Sequence, residues 1–363
     1  MVKFLITGYY GFFNSGDDAI LLSMCEDIES LSVATKTTIL SNSAVSTKEK
    51  YSANAVYRFS PYYVIREILK CDILIMGGGS LLQDKTSTRS LMYYLSILLM
   101  AKFFRKKIMI YANGIGPIDG KLNRKITKFV LNKVDLITIR EKLSIEELYS
   151  MGVKKDNIKL TADPVFNLNI KDTNIDDILQ NENIDLSLDF VTILFREWNT
   201  KENYKEKMAK ICDYIVKEKN MNVVFIPMKY PSDIKTGEEI ASLMTEKSYV
   251  VKSNLNVYEI IKLIGMSKIS LSMRLHALLY SALKNVPMIG FTYDPKVDFF
   301  LRELEIYSIV NMESFKWEEV AVILDRTLEN YDDISIKIEN RTKELSRQAD
   351  LNKFYLEELI KRK

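Results

Sequence analysis

Short apolar, β-branched runs alternate with longer amphipathic stretches along most of the chain, and this alternation constrains the fold more than any other feature. Val2–Thr7, Thr37–Ser41, Asp72–Met76, Lys107–Ala112, Asp135–Ile139 and Ile158–Thr161 read as buried strands, with helical patterns such as Asp18–Leu31 and Ser144–Ser150 between them. Such a pattern is the mark of βαβ units and a parallel sheet. The segment Ile170–Asp189 is polar and acidic and reads as a linker with one short helix. The alternation then restarts at Phe190–Phe195, Asn222–Pro227, Tyr249–Lys252, Lys268–Ser272, Pro287–Thr292 and Tyr307–Val310. From about Asp333 the pattern is helical and highly charged. The expected organisation is α/β, with doubly wound domains at 1–172 and 173–335 and a C-terminal helix at 336–363. Two such domains facing each other hold their ligand in the cleft between them, at the carboxyl ends of the strands.

Composition supports a globular chain and removes several classes of chemistry. Of the 363 residues, 47% are apolar and 27% charged, against the pattern of a disordered or fibrous chain. Fifty-one basic and 48 acidic residues leave a net charge of +3, too little for a protein held on nucleic acid by bulk charge, so no nucleic-acid partner is expected. Cys25, Cys71 and Cys212 lie far apart without CxxC spacing, which suits a reducing cytosol and offers no zinc site. His276 is the single histidine, so histidine-rich metal sites and two-imidazole mechanisms are excluded. No metal site is expected. Met1–Thr7 lacks a basic n-region, and the longest apolar run, about Leu91–Ala101, falls short of the ~20 residues of a membrane span.

Polar and glycine-rich residues follow several strands. The loop from Gly8 to Asp18 carries Gly11 and Gly16 and ends in Asp17 and Asp18, which suit either ligand contact or capping of the next helix. Its spacing is not the dinucleotide G-x-G-x-x-G. Gly77, Gly78, Gly79 and Ser80 follow the strand Asp72–Met76 and permit close backbone approach to a ligand. Asp84, in the polar run after them, reads as a base on a sugar hydroxyl or as a cap. Asn113-Gly-Ile-Gly-Pro117 ends another strand as a turn or a ligand contact. The sharpest signal is Ser272-Met-Arg274-Leu275-His276-Ala, where a strand runs directly into an apolar helix. A guanidinium beside a helix start makes a strong anion site. Arg196, Lys229 and Tyr293–Lys296 also follow strands of the second half, Arg196 as a second anion clamp or a partner of Glu197. Lys102–Lys107, at the end of the apolar helix, is a candidate membrane contact.

Taken in order, Gly-Tyr-Tyr-Gly-Phe, Gly-Asp-Asp-Ala-Ile, Gly-Gly-Gly-Ser-Leu-Leu-Gln-Asp, Asn-Gly-Ile-Gly-Pro and Ser-Met-Arg-Leu-His-Ala resemble the polysaccharide pyruvyl transferase family. Gln83–Leu91 and Tyr293–Val297 resemble its bacterial CsaB branch, and the likeness runs from Lys3 to about Phe300. The resemblance implies two Rossmann-like domains of the GT-B type, facing across a cleft. It implies phosphoenolpyruvate as co-substrate, with no cofactor, and a pyruvate ketal on one sugar as product. In the CsaB branch the acceptor is β-N-acetylmannosamine, ketalised at O4 and O6, in a lipid-linked secondary cell-wall polymer precursor. That ketal anchors surface-layer proteins. By the resemblance, Arg274, Leu275 and His276 bind phosphoenolpyruvate with His276 as acid, and Arg196 joins them; Lys229, from its place after a strand, is a further expected donor contact. Gly11, Asp17, Gly78, Gly79, Ser80, Asp84 and Asn113 face the acceptor. Asn113 and Phe13 depart from the family's usual glutamine and glycine, on the acceptor side. A cytoplasmic protein at the inner membrane face is expected.

The chemistry asked of these residues is consistent. A donor bearing a carboxylate and a phosphate needs cations and oriented N–H groups. An acid that holds a proton near neutral pH suits a histidine, whose ordinary pKa is ~6.5. Asp84 or Asp17 would serve as base. Two other readings remain: a nucleotide-sugar glycosyltransferase on the same fold, since fold does not fix function, and a non-catalytic carbohydrate-binding protein.

Overall fold

The computed structural model describes residues 1–154, 156–185, 187–199 and 203–362, which fall into two compact units. One comprises Met1–Asn169 with Leu345–Lys363, the other Ile170–Glu344. The first unit holds seven parallel strands: β1 (Val2–Thr7), β2 (Thr35–Ser41), β3 (Asn54–Tyr57), β4 (Ile73–Gly77), β5 (Lys107–Asn113), β6 (Leu136–Ile139) and β7 (Ile158–Leu160). Their order is β3-β2-β1-β4-β5-β6-β7. Helices α1 (Ser15–Glu29), α2 (Ala44–Lys50), α3 (Pro61–Lys70), α4 (Thr88–Phe103), α5 (Lys121–Leu131) and α6 (Lys142–Met151) connect them. Apolar side chains of α3, α4 and α5 share one core cluster with the sheet, including Val64, Ile68, Leu91, Leu98 and Val130. Leu91–Ala101 is thus a core helix, apolar because it packs on β5 between α3 and α5.

The second unit repeats the plan. After the short α7 (Asp176–Asn181) come β8 (Phe190–Leu194), α8 (Tyr204–Lys219), β9 (Asn222–Phe225), α9 (Ser232–Leu243), β10 (Tyr249–Val250), α10 (Val257–Met266), β11 (Ile269–Ser272), α11 (Leu275–Leu283), β12 (Met288–Thr292), α12 (Pro295–Glu303), β13 (Ile309–Asn311) and α13 (Trp317–Glu329). The parallel sheet is ordered β10-β9-β8-β11-β12-β13. The last helix, α14, spans Tyr331–Lys361, and its residues from Leu345 onward belong to the first unit. There Asn352 donates to the Ala162 carbonyl at 2.9 Å, and Lys107 Nζ donates to the Leu359 carbonyl at 3.1 Å, near the helix end.

In a doubly wound sheet, ligands bind where the strand order reverses. The first sheet reverses between β1 and β4, so the loops after Thr7 and Gly77 flank its crevice. The second reverses between β8 and β11, which places Arg196 and Arg274 there.

Two local features differ from the sequence reading. β3 was not expected: it is an edge strand in which only Ala55 and Val56 are buried, too short a run to register as apolar. α1 begins earlier than Asp18. Asn14 stands at its N-cap, and Asp17 and Asp18 lie within the first turn, where carboxylates meet the positive end of the helix dipole.

Candidate active site

In the first unit the strand-end loops are held together by their own backbone. The Gly114 N–H donates to the Gly79 carbonyl at 3.1 Å, and the Gly116 N–H to the Leu82 carbonyl at 2.8 Å. Gly78 and Gly79 both have positive φ (102° and 35°), a region that favours glycine. A Cβ on Gly79 would stand 3.1 Å from Oδ1 of Asp17, so this backbone passes directly beside the Asp17 carboxylate. Gly11 answers a different need: a Cβ there would meet Ser41 Oγ at 2.3 Å and the Ser43 nitrogen at 2.5 Å. Its close approach is to the turn after β2. Tyr10 is fully buried and donates to the Gly77 carbonyl at 2.6 Å. Burial first, and then the nearby Asp17, push its phenol far above the ordinary range and keep it a neutral donor.

Asp84 is occupied. Its carboxylate accepts from the Asp119 and Gly120 N–H groups, both at 2.9 Å, and from Asn123 Nδ2 at 2.6 Å. Burial pushes its pKa up, but these hydrogen bonds outweigh it and hold the carboxyl below its usual range. It ties the loop after β4 to the start of α5. Asn113 is fully buried, and its amide donates to the Met76 carbonyl at 3.2 Å. Asp17 is buried, with Asn14 Nδ2 2.5 Å from its Oδ2, and Ser80 is half-buried nearby in the chain.

Charged groups not singled out in the sequence stand at the same sheet edge. Arg140 directly follows β6 and is buried in ion pairs with Asp163 and Glu141. Burial works against its charge, but the Asp163, Glu141 and Asp17 carboxylates outweigh it and raise its pKa. Arg58 follows β3, donates to the Gly8 carbonyl at 2.6 Å and lies 4.7 Å from the Tyr93 ring centre. The position of these arginines immediately after apolar strands was the available signal; for Arg58 the strand itself was not visible.

In the second unit the register brings Arg196 and Arg274 side by side. Leu194 pairs with Ser272 across β8 and β11, and each arginine follows two residues later. Ser272 Oγ accepts from the Arg274 N–H at 2.8 Å and donates to the Leu194 carbonyl at 3.0 Å, fixing the turn into α11. Arg274 Nη2 lies 2.5 and 2.6 Å from the two oxygens of Asp233, which is buried. Asp233 in turn accepts from the Lys229 N–H at 3.0 Å. This anchor of Arg274 was missed because 41 residues separate the partners. Leu275 and His276 are half-buried in the first turn of α11.

Arg196 is held by ring faces. Its guanidinium lies 4.6 Å from the Tyr293 ring centre and 5.1 Å from that of Trp198. The Tyr293 and Trp198 rings are themselves 4.5 Å apart. Among the described residues, Nε is buried without a hydrogen-bond partner in Arg196 and Arg274, as it is in Arg58 and Arg140; what sets Arg196 apart is that its guanidinium makes no hydrogen bond at all. Buried donors of this kind call for an acceptor. Two guanidinium groups at a topological switch point, beside a helix N-terminus, are groups that could hold an anion.

A family model described as polysaccharide pyruvyl transferase matches residues 14–295. The amylovoran biosynthesis protein AmsJ of Erwinia amylovora is 20% identical over 288 residues, covering 74% of this chain and 68% of that protein. Among solved structures, the UDP-GlcNAc 2-epimerase of Neisseria meningitidis bound to UDP-GlcNAc matches with a TM-score of 0.67 at 13% identity, over 100% of each chain. Anabaena Alr3699/HepE in complex with UDP-glucose matches at 0.66 and 12% identity, over 99% of each. At such identities the likeness is one of fold: two Rossmann-like domains of the GT-B type.

Proposed function

Because the chain belongs to the polysaccharide pyruvyl transferase family and is a transferase enzyme, we propose that it moves pyruvate from phosphoenolpyruvate onto one sugar as a cyclic ketal. The observation that carries the donor assignment is the placement of Arg196 and Arg274 after the paired strands β8 and β11 at the switch point, with the Arg196 guanidinium held by ring faces and making no hydrogen bond among the described residues. The carboxylate and phosphate of phosphoenolpyruvate would supply the acceptors that guanidinium lacks.

The residues divide the reaction as follows. A sugar hydroxyl adds to C2 of phosphoenolpyruvate while C3 takes a proton from His276, in the first turn of α11. The hydroxyl's proton goes to a base. We assign this role to Asp17, whose carboxylate stands beside the Gly79 backbone, and a bracing role to Asp84, whose oxygens accept three hydrogen bonds. A second hydroxyl of the same sugar then attacks C2, loses its proton and displaces inorganic phosphate. Arg196 and Arg274, with the N–H groups at the start of α11, hold the anionic donor through both steps. Lys229 contributes its backbone N–H to Asp233 and so helps hold Arg274. Asp84 and Asn113 brace the loops that carry Gly78, Gly79 and Ser80 toward an acceptor. No step uses a cofactor or a metal.

For the acceptor, Gln83–Leu91 and Tyr293–Val297 support the CsaB-type reading. It is a 4,6-ketal on β-N-acetylmannosamine of a lipid-linked secondary cell-wall polymer precursor, made by a cytoplasmic protein at the inner membrane face. The product would anchor surface-layer proteins.

The test is phosphate release from phosphoenolpyruvate with and without a synthetic β-N-acetylmannosaminide. Release should require the sugar. His276→Ala should keep the wild-type melting temperature and lower the rate by about 10²–10⁴-fold. Near-normal turnover in that variant would sink the mechanism. A melting temperature raised by a UDP-sugar and not by phosphoenolpyruvate would replace it with glycosyl transfer.

A further inference from the structure

The charge of this chain is unevenly placed. The stretch Pro61–Leu131, from α3 through α5, holds 12 cationic and 4 acidic residues, a net +8, while the whole chain carries +3. Helices α3, α4 and α5 pack side by side on one face of the first sheet, with α4 in the middle. Their outer surface is apolar to a degree that a solvated helix layer does not require. Tyr62, Tyr63, Ile65 and Leu69 of α3 are exposed, as are Phe103 of α4 and Phe129 of α5, Phe103 to 80%. Leu99, Met100, Phe103 and Phe129 line one shallow depression flanked by Lys102 and Lys133.

The cations of this layer sort into two groups. Lys102 pairs with Asp135 at 2.8 Å, Lys106 donates to the carbonyls at the end of α3, and Lys107 donates to those at the end of α14. The basic run Lys102–Lys107 is therefore largely committed inside the unit. Arg105, Lys121, Lys125 and Lys128 are exposed, whereas Arg66 pairs with Glu67 at 2.8 Å while lying over Tyr62 and Tyr63 at 5.7 and 4.9 Å. Tyrosines, bulky aliphatics and a surplus of lysine and arginine on one surface match the headgroup boundary of an anionic bilayer. A protein partner fits less well, because protein interfaces are depleted in lysine.

We propose that the outer face of α3–α5 docks the protein on an anionic lipid bilayer, the apolar side chains entering the headgroup boundary and the exposed cations meeting lipid phosphates. This deepens the reading of a lipid-linked acceptor and rests on it for its purpose. Its test uses vesicles and neither substrate, so failure of docking and failure of pyruvyl transfer are separate results.

The experiment is cosedimentation of the full chain with phosphatidylcholine vesicles with or without phosphatidylglycerol. Binding should need phosphatidylglycerol and be released by about 0.5 M NaCl, where screening is strong. Leu69→Ser with Phe103→Ser, on exposed positions, should lower partitioning at least about tenfold. Lys121→Glu with Lys125→Glu should lower it by a similar factor or more, since each cation near the surface is worth about fivefold. Both double variants should melt as the wild type does. Equal binding to pure phosphatidylcholine, no binding to either vesicle, or wild-type binding by both variants would overturn the proposal.

Discussion

Arg58 and Arg140 in the first unit, and Arg196 and Arg274 in the second, all stand one or two residues past the end of a parallel strand. Their surroundings differ. Arg58 and Arg140 are buried, and their Nη groups are bonded to protein acceptors: the Gly8 carbonyl and Tyr94 hydroxyl for Arg58, Asp163 for Arg140. Arg196 is half-buried and held by two aromatic rings, with no hydrogen bond from its guanidinium among the described residues. Arg274 lies between these cases, anchored by Asp233 through Nη2; Nε is buried without a hydrogen-bond partner in all four arginines, so the difference rests on their Nη groups. The same residue type at the same topological position thus has its Nη groups tied to protein acceptors in one unit, and in the other is tied through one nitrogen or none. Proximity to a sheet's carboxyl edge does not separate the two arrangements; the acceptor inventory around each guanidinium does.

The largest effect should come from breaking a cohesive arginine. Arg140→Met leaves Asp163 and Glu141 buried beside an apolar side chain. Removing one partner of a buried ion pair costs about 3–5 kcal/mol. Urea unfolding should show a loss of that size, while Arg196→Met should shift unfolding by less than about 1 kcal/mol, since no partner is orphaned. Equal losses in the two variants would erase the distinction.

The next effect runs the other way. Arg196→Met should raise the KM for phosphoenolpyruvate, or lower kcat/KM, by about 10–150-fold, the worth of a charge-assisted hydrogen bond at 1.5–3 kcal/mol. Phosphate-release kinetics at unchanged melting temperature is the check. A variant with wild-type kinetics would mean that the ring-held guanidinium does not contact the donor.

The sequence made much of this visible, for definite reasons. A strand such as Ile73–Gly77 is buried on both faces, so it stands out as an unbroken apolar run. Arg274 and His276 were legible because a buried strand meets an apolar helix with no loop between them. What stayed hidden depends on partners distant in sequence. Asp233 is invisible as the anchor of Arg274 until α9 and β11 are placed in one sheet layer. Gly11 and Gly79 look alike in sequence, yet one clears the turn after β2 and the other clears the Asp17 carboxylate. Asp84 read equally as base or cap, and its three donors, 35 to 39 residues away, come into view only in the fold.

Asp84 supplies the smallest and most specific test of whether first-unit polar groups serve cohesion. Its folded carboxyl is held below the usual range, because the hydrogen bonds from Asn123, Asp119 and Gly120 outweigh burial. A depressed carboxyl stabilises the fold above the unfolded pKa, about 3.9 for aspartate, and that contribution is lost as pH falls through the folded value. Asp84→Asn cannot titrate, so wild type should melt slightly higher than the variant at pH 7. The gap should close as pH drops below about 4, within the range set by the two pKa values. A gap that stays constant with pH would show that the charge is not what the three donors hold. Phosphate release adds the second readout. Asp84→Asn should retain activity within about tenfold, whereas Asp17→Asn, removing the proposed base, should lose about 10²–10⁴-fold. The reverse ranking would move Asp84 out of the cohesive class and into the chemistry, and the contrast between the two units would then hold for their arginines and not for their carboxylates.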